Sequence, residues 1–73
     1  MKITHVNGTQ EWVLNGKRHR DHDLPAIIYA NGKQEWWRNG VLHRENGKPA
    51  IIHADGEQEW WEYDQLKRIK SKL

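Results

Sequence analysis

The chain has 73 residues, a formal net charge of +2, five Trp, two Tyr, no Phe and no Cys. That length holds one small domain with a core near the lower limit for independent stability. The missing cysteines exclude disulfides and thiolate metal sites, and no apolar run is long enough to span a membrane. The N-terminal Met1-Lys2-Ile3-Thr4-His5 lacks the apolar segment of a signal peptide, so the chain reads as soluble and cytoplasmic. The positive balance is local. Lys67, Arg68, Lys70 and Lys72 stand in a tail without acids, whereas all 10 Asp and Glu lie in the first 64 residues.

One phrase returns along the chain: Gln10-Glu11-Trp12, Gln34-Glu35-Trp36 and Gln58-Glu59-Trp60. Residues 3–26 and 27–50 are identical at 12 of 24 positions, which makes an internal repeat the first statement about the fold. The units are 3–26, 27–50 and a partial 51–63, followed by a basic segment 64–73.

In chain order, short runs rich in Trp, Ile and Val alternate with Asn-Gly or Asp-Gly pairs at 7–8, 15–16, 31–32, 39–40 and 55–56. Such pairs tolerate the positive φ of two-residue hairpin turns. Strands are expected near 3–6, 9–14, 17–20, 26–30, 33–38, 41–44, 50–54 and 57–62. The product is a mainly all-β fold, an antiparallel meander of repeated hairpins with a 24-residue period.

Two-residue turns fix partners. Around Asn39-Gly40, Arg38 faces Val41, Trp37 faces Leu42 and Glu35 faces Arg44. Around Asn31-Gly32, Ile28 faces Glu35 and Ile27 faces Trp36. Alternation then gives two faces. Ile27, Tyr29, Gln34, Trp36 and His43 form the candidate core face, because Ile3, Ile27 and Ile51 and Trp12, Trp36 and Trp60 fall in register. The other face carries Glu11–Arg20 and Glu35–Arg44 as cross-strand ion pairs, with Ile28, Trp37, Leu42, Ile52 and Trp61 as an apolar patch.

After Trp61 the pattern changes: Tyr63-Asp64 stands where Asn-Gly is expected. Leu66, Ile69 and Leu73 follow at helical spacing, and Asp64 suits an N-cap. A short amphipathic helix over about 64–72 is the expectation, with a third hairpin turning at Tyr63-Asp64 as the alternative.

The unit Trp36-Trp37-Arg38-Asn39-Gly40-x-x-His43-Arg44, with Pro49-Ala50 and Asp55-Gly56 after it, resembles the MORN class of repeats. It is closer to a Trp-x-x-Asn-Gly-x-x-His-Arg…Gly-Pro-Ala repeat of small bacteriophage and giant-virus proteins. Arg20 and Arg44 stand where MORN has Gly, and Lys48 separates Gly47 from Pro49. The resemblance covers about residues 3–62 and implies a scaffold or interaction module rather than a particular activity.

The chemistry of the residues points the same way. His19 and His43 read as packing on Trp12 and Trp36, since no Cys and no helical His pair accompanies them; no metal and no cofactor is expected. Glu11 and Glu35 face arginines, the one Ser lies in the tail, and no Gly-rich phosphate loop exists, so the chain is read as no enzyme. Trp37 and Trp61 are either covered by the tail through Leu66, Ile69 and Leu73 or exposed, and an exposed aromatic patch rimmed by Arg is the composition of a protein-binding hot spot. The binding residues expected are Ile28, Trp37, Arg38, Leu42, Arg44, Ile52 and Trp61. The partner expected is a host protein, bound and inhibited by occlusion, as the phage resemblance implies; a homodimer through the same patch is the simplest self-association. The alternative is nucleic-acid binding by the sheet tryptophans with Lys67, Arg68, Lys70 and Lys72.

Overall fold

The computed structural model describes residues 1–71. It is all-β and antiparallel. The strands are β1 (Lys2–Thr4), β2 (Gln10–Leu14), β3 (Lys17–Arg18), β4 (Ile27–Ile28), β5 (Gln34–Glu35), β6 (Trp37–Arg38), β7 (Val41–Leu42), β8 (Ile51–Ile52), β9 (Gln58–Glu62) and β10 (Gln65–Lys70). The main sheet runs β1-β2-β4-β5-β8-β9-β10, β3 branches from β2, and β6 and β7 pair separately.

The Asn-Gly pairs make two different turns. At Asn39-Gly40 both residues have positive φ (49° and 85°), and the two-residue turn pairs Trp37 with Leu42 and Arg38 with Val41 as expected. At Asn31-Gly32 only Gly32 has positive φ, and the Tyr29 N–H donates to Lys33 O at 2.8 Å, which leaves three residues in the turn. The Asn31 side chain accepts the Lys33 N–H at 2.9 Å and holds this longer form. His5 to Thr9 and His53 to Glu57 close in the same way, each at 2.8 Å.

One added turn residue moves the register by one. Ile27 therefore lies opposite Glu35, not Trp36, and Ile28 lies opposite Gln34, not Glu35. Across the sheet one row reads Ile3, Glu11, Ile27, Glu35, Ile51, Glu59, Ile69. The neighbouring row reads Thr4, Gln10, Ile28, Gln34, Ile52, Gln58, Lys70. Successive residues of a strand point to opposite sides, so the two rows belong to opposite faces.

The expected C-terminal helix is not formed over the described residues. Tyr63 (φ 48°) and Asp64 (φ 67°) make a tight turn, and β10 pairs back on β9. Two tertiary bonds set this turn against local preference: the Asp64 carboxylate accepts the Leu42 N–H at 2.7 Å, and the Asp64 N–H donates to Leu42 O at 3.0 Å. The helical spacing of Leu66 and Ile69 has another cause. The register shifts between Leu66 and Arg68, so three steps along β10 return to the same face. Leu73 lies outside the described residues.

The buried apolar residues are Ala26, Ile27, Trp36, Leu42, Ala50 and Ile51. Trp37, Ile52 and Trp61 pack, half-buried, against the cluster of Trp36, Leu42, Ala50 and Ile51. The expected core residues Ile27, Trp36 and Ile51 are in place. Leu42, expected as an exposed anchor, is only 6% exposed and belongs to the core.

Candidate functional site

Two devices hold the loops over the sheet edge. Arg20 lies over Trp12 (3.6 Å to the ring centroid), Arg44 over Trp36 (3.8 Å) and Arg68 over Trp60 (4.5 Å). Arg20 and Arg44 also donate to the carbonyls of Pro25 (3.1 Å) and Pro49 (3.0 Å). The second device is imidazole. His19 Nδ1 accepts the Asn39 N–H at 3.1 Å, and His43 Nδ1 accepts the Tyr63 N–H at 3.2 Å. The two histidines are thus docking points for the next turn, which gives their expected structural role a definite form.

The expected cross-strand pairs Glu11–Arg20 and Glu35–Arg44 do not form: both hairpins keep the expected register, but their pairing ends at Val13–Arg18 and Trp37–Leu42, and the glutamates pair within the main sheet instead. Glu11 accepts from Arg18 at 2.7 Å and meets His5 at 3.1 Å. Those hydrogen bonds, Arg18 first, hold its carboxyl below the usual range despite partial burial. Glu35 accepts the Trp37 indole N–H at 2.9 Å and meets Lys33 at 3.3 Å.

The expected binding residues divide among several places. Trp37 and Trp61 direct their indole N–H groups to Glu35 and Glu59, both at 2.9 Å. Ile28 and Ile52 lie in the glutamine row on the opposite face. Arg38 is exposed and paired with Glu45. Arg44, with 13% of its side chain exposed, bonds Asp23 Oδ1 at 2.9 Å and is framework. A single sheet face carrying all seven does not exist.

What the fold does assemble is a groove of about 350 Å³ at the C-terminal end. Trp60 and Trp61, neighbours on β9 whose side chains leave on opposite faces, both line it, together with Arg44, Gly47, Lys48, Lys67 and Arg68, and Glu62 is the one acid of the lining. The Trp60 indole N–H donates to Gly47 O at 2.8 Å, which fixes the ring against the loop. Lys48 and Arg44 converge on Asp23, with Lys48 Nζ 2.9 Å from Oδ2. Hydrogen bonds from Arg44 and then Lys48 lower the Asp23 carboxyl to about 2. Asp23 occupies this place with positive φ (57°), a backbone state that usually costs free energy for a non-glycine residue. Lys67 and Arg68 make no ion pair among the described residues and supply the groove's free positive charge. The sequence pattern puts Trp60 on the candidate core face and gives Lys48 and Asp23 no site role. The returning Trp60 and the loop between Arg44 and Pro49 were the signals, but their meeting depends on how successive hairpins stack.

A second cluster lies on the glutamate row. His53 Nε2, a Glu57 oxygen and a Glu59 oxygen all fall within 4.8 Å of one another, a donor set compatible with a borderline divalent ion. His53 Nε2 already meets Glu59 Oε2 at 2.6 Å, and the other Glu59 oxygen takes the Trp61 N–H. Burial works to raise the Glu59 carboxyl, but the His53 and Trp61 hydrogen bonds prevail and lower it. The described residues include no helix long and apolar enough to cross a membrane. No family model matches the chain, and neither does any curated protein or solved structure.

Proposed function

We propose that the chain is a small non-catalytic protein-binding module that acts by occlusion. On the phage-like resemblance, its partner is a host protein, such as a defence component. In this reading the scaffold is a MORN-like stack of 24-residue units, and the binding end is the C-terminal one. The observation that supports it is the Trp60–Trp61 groove with Lys67 and Arg68 beside it, since aromatic anchors rimmed by Arg dominate protein-binding hot spots.

Nucleic-acid binding draws on the same cations. It is disfavoured by the state of the rings: Trp60 has Arg68 over one face and its N–H bound to Gly47, and Trp61 leans on the core with its N–H on Glu59. Free ring faces are what base stacking requires. Glu62 adds negative charge at the groove itself.

The test is affinity capture from nuclease-treated host lysate with the wild-type chain, Trp61→Ala and Arg68→Glu, each checked for folding by circular dichroism. Capture of one protein by the wild type and its loss in both folded variants supports the reading. Capture that disappears with nuclease treatment transfers the function to nucleic acid.

A further inference from the structure

We infer that the outer edge of β10 is a docking strand for an extended, acidic segment of the partner, which joins the sheet antiparallel or parallel to Gln65–Lys70. This rests on the protein-binding reading and names the chemistry of the partner. β10 ends the sheet path and has β9 alone as a neighbour. It is the longest strand, and all six of its residues are exposed. Its inner side is hydrogen-bonded to β9 along Gln65–Lys70, which holds the strand extended while its outer N–H and C=O groups face solvent. A long preformed edge of this kind is the template used in strand addition.

Charge selects the occupant. Lys67, Arg68 and Lys70 crowd the edge, and none pairs with an acid among the described residues. A second copy placed edge to edge brings these cations against themselves. The opposite edge, β1, offers no relief, for it carries Lys2 beside the N-terminal ammonium. Like charges directly opposite across strands are destabilising, so growth by self-stacking is disfavoured and an acidic strand is favoured.

The bulge sets the pattern required of that strand. Leu66 and Ile69 align with Trp61 and Glu59 on one face, while Arg68 and Lys70 align with Trp60 and Gln58 on the other. Leu66 and Ile69 are 46% and 54% exposed, so apolar surface is open to a neighbour on that side. A segment alternating acidic and aliphatic residues answers both faces at once, with acids toward Arg68 and Lys70 and aliphatics toward Leu66 and Ile69.

The experiment is fluorescence anisotropy with a fluorescein-labelled peptide alternating Glu and Val. Binding is expected to weaken roughly tenfold or more in the double variant Arg68→Glu/Lys70→Glu. It is expected to be lost when alternate peptide amides are N-methylated, which keeps the charge but removes strand pairing, and to be unchanged by Lys2→Glu at the far edge. Equal binding of the N-methylated peptide, equal loss in Lys2→Glu, or binding of labelled oligothymidylate with none of the peptide overturns the inference. In the lysate capture, a partner lost with Trp61→Ala and Arg68→Glu but retained by Lys70→Glu, on the strand edge outside the groove, overturns the edge inference and leaves the protein-binding reading standing. Absence of any partner for the wild type removes that reading itself.

Discussion

The Nδ1 atom of His43 accepts the backbone N–H of Tyr63 at 3.2 Å, and the two rings lie 4.2 Å apart. One side chain thereby holds the last turn on the preceding hairpin, and it must be unprotonated at Nδ1 to do so. The Nε2 proton is then buried with no hydrogen-bond partner in the described structure; the nearest carboxylate, Glu45, stands 3.9 Å away. His43→Phe keeps the packing and removes the acceptor. It is expected to destabilise the fold by about 1–3 kcal/mol, the cost of stranding a donor. Chemical denaturation gives the magnitude, and faster amide exchange in β10 than in β4 shows that the tail loosens first.

Asp64 has φ 67° and also accepts the Leu42 N–H at 2.7 Å. Asp64→Gly relieves the backbone strain while losing the bond, so the two effects oppose. Its stability is expected within about 1 kcal/mol of wild type. Asp64→Ala loses the bond and keeps the strain, and is expected to cost about 1–3 kcal/mol. Equal denaturation midpoints for the two variants contradict this division.

Asp23 ties its own loop to Arg44 and Lys48, with its carboxyl lowered to about 2 in the folded chain from an ordinary 3.8. A depressed carboxyl stabilises above its unfolded value, and the contribution is lost as pH falls from about 3.8 through about 2. The side chain is 42% exposed, so solvent screening limits the effect to less than about 1 kcal/mol. In Asp23→Asn this part of the acid-induced loss is expected to vanish. Thermal melts across that pH range, compared with wild type, check it, and added salt is expected to shrink the difference.

The sequence pattern groups Leu42 with Ile28 as surface anchors, and the structure separates them. Leu42→Ala opens a cavity in the core and is expected to cost about 2–5 kcal/mol. Ile28 is half-buried in a row of glutamines, and Ile28→Ala is expected to cost clearly less. Urea unfolding of the two variants ranks them; a larger loss at Ile28 contradicts the assigned core.

The sequence carried more about the turns than about the faces. Arg38-Asn39-Gly40-Val41 was read to its correct pairing because both turn residues adopt the positive φ their types favour. Asn31-Gly32 was misread because the same dipeptide supports a longer turn when the Asn side chain caps the next N–H. That single choice moves the partners of Ile27 and Ile28 by one residue, to Glu35 and Gln34, and splits the apolar patch. In the tail the preferred helix is absent and the alternative hairpin at Tyr63-Asp64 is formed, for a different reason. Tyr63-Asp64 has no local preference for its turn, and the bonds to His43 and Leu42 that impose it come from about 20 residues upstream. The groove was legible only as ingredients, since Trp60 and Lys48 meet through the stacking of hairpins and the sequence states no distance between them.

Ile69 stands across from Glu59 as Ile51 stands across from Glu35. The tail therefore occupies the berth that another hairpin unit's first strand would take, and its Tyr63-Asp64 turn rests on the Leu42–His43 hairpin as Asn39-Gly40 rests on Arg18 and His19. If the proposed 24-residue unit holds, duplicating residues 27–50 is expected to leave the β9–β10 hairpin and its bulge seated by the same bonds on a longer sheet, which amide exchange in the enlarged chain checks.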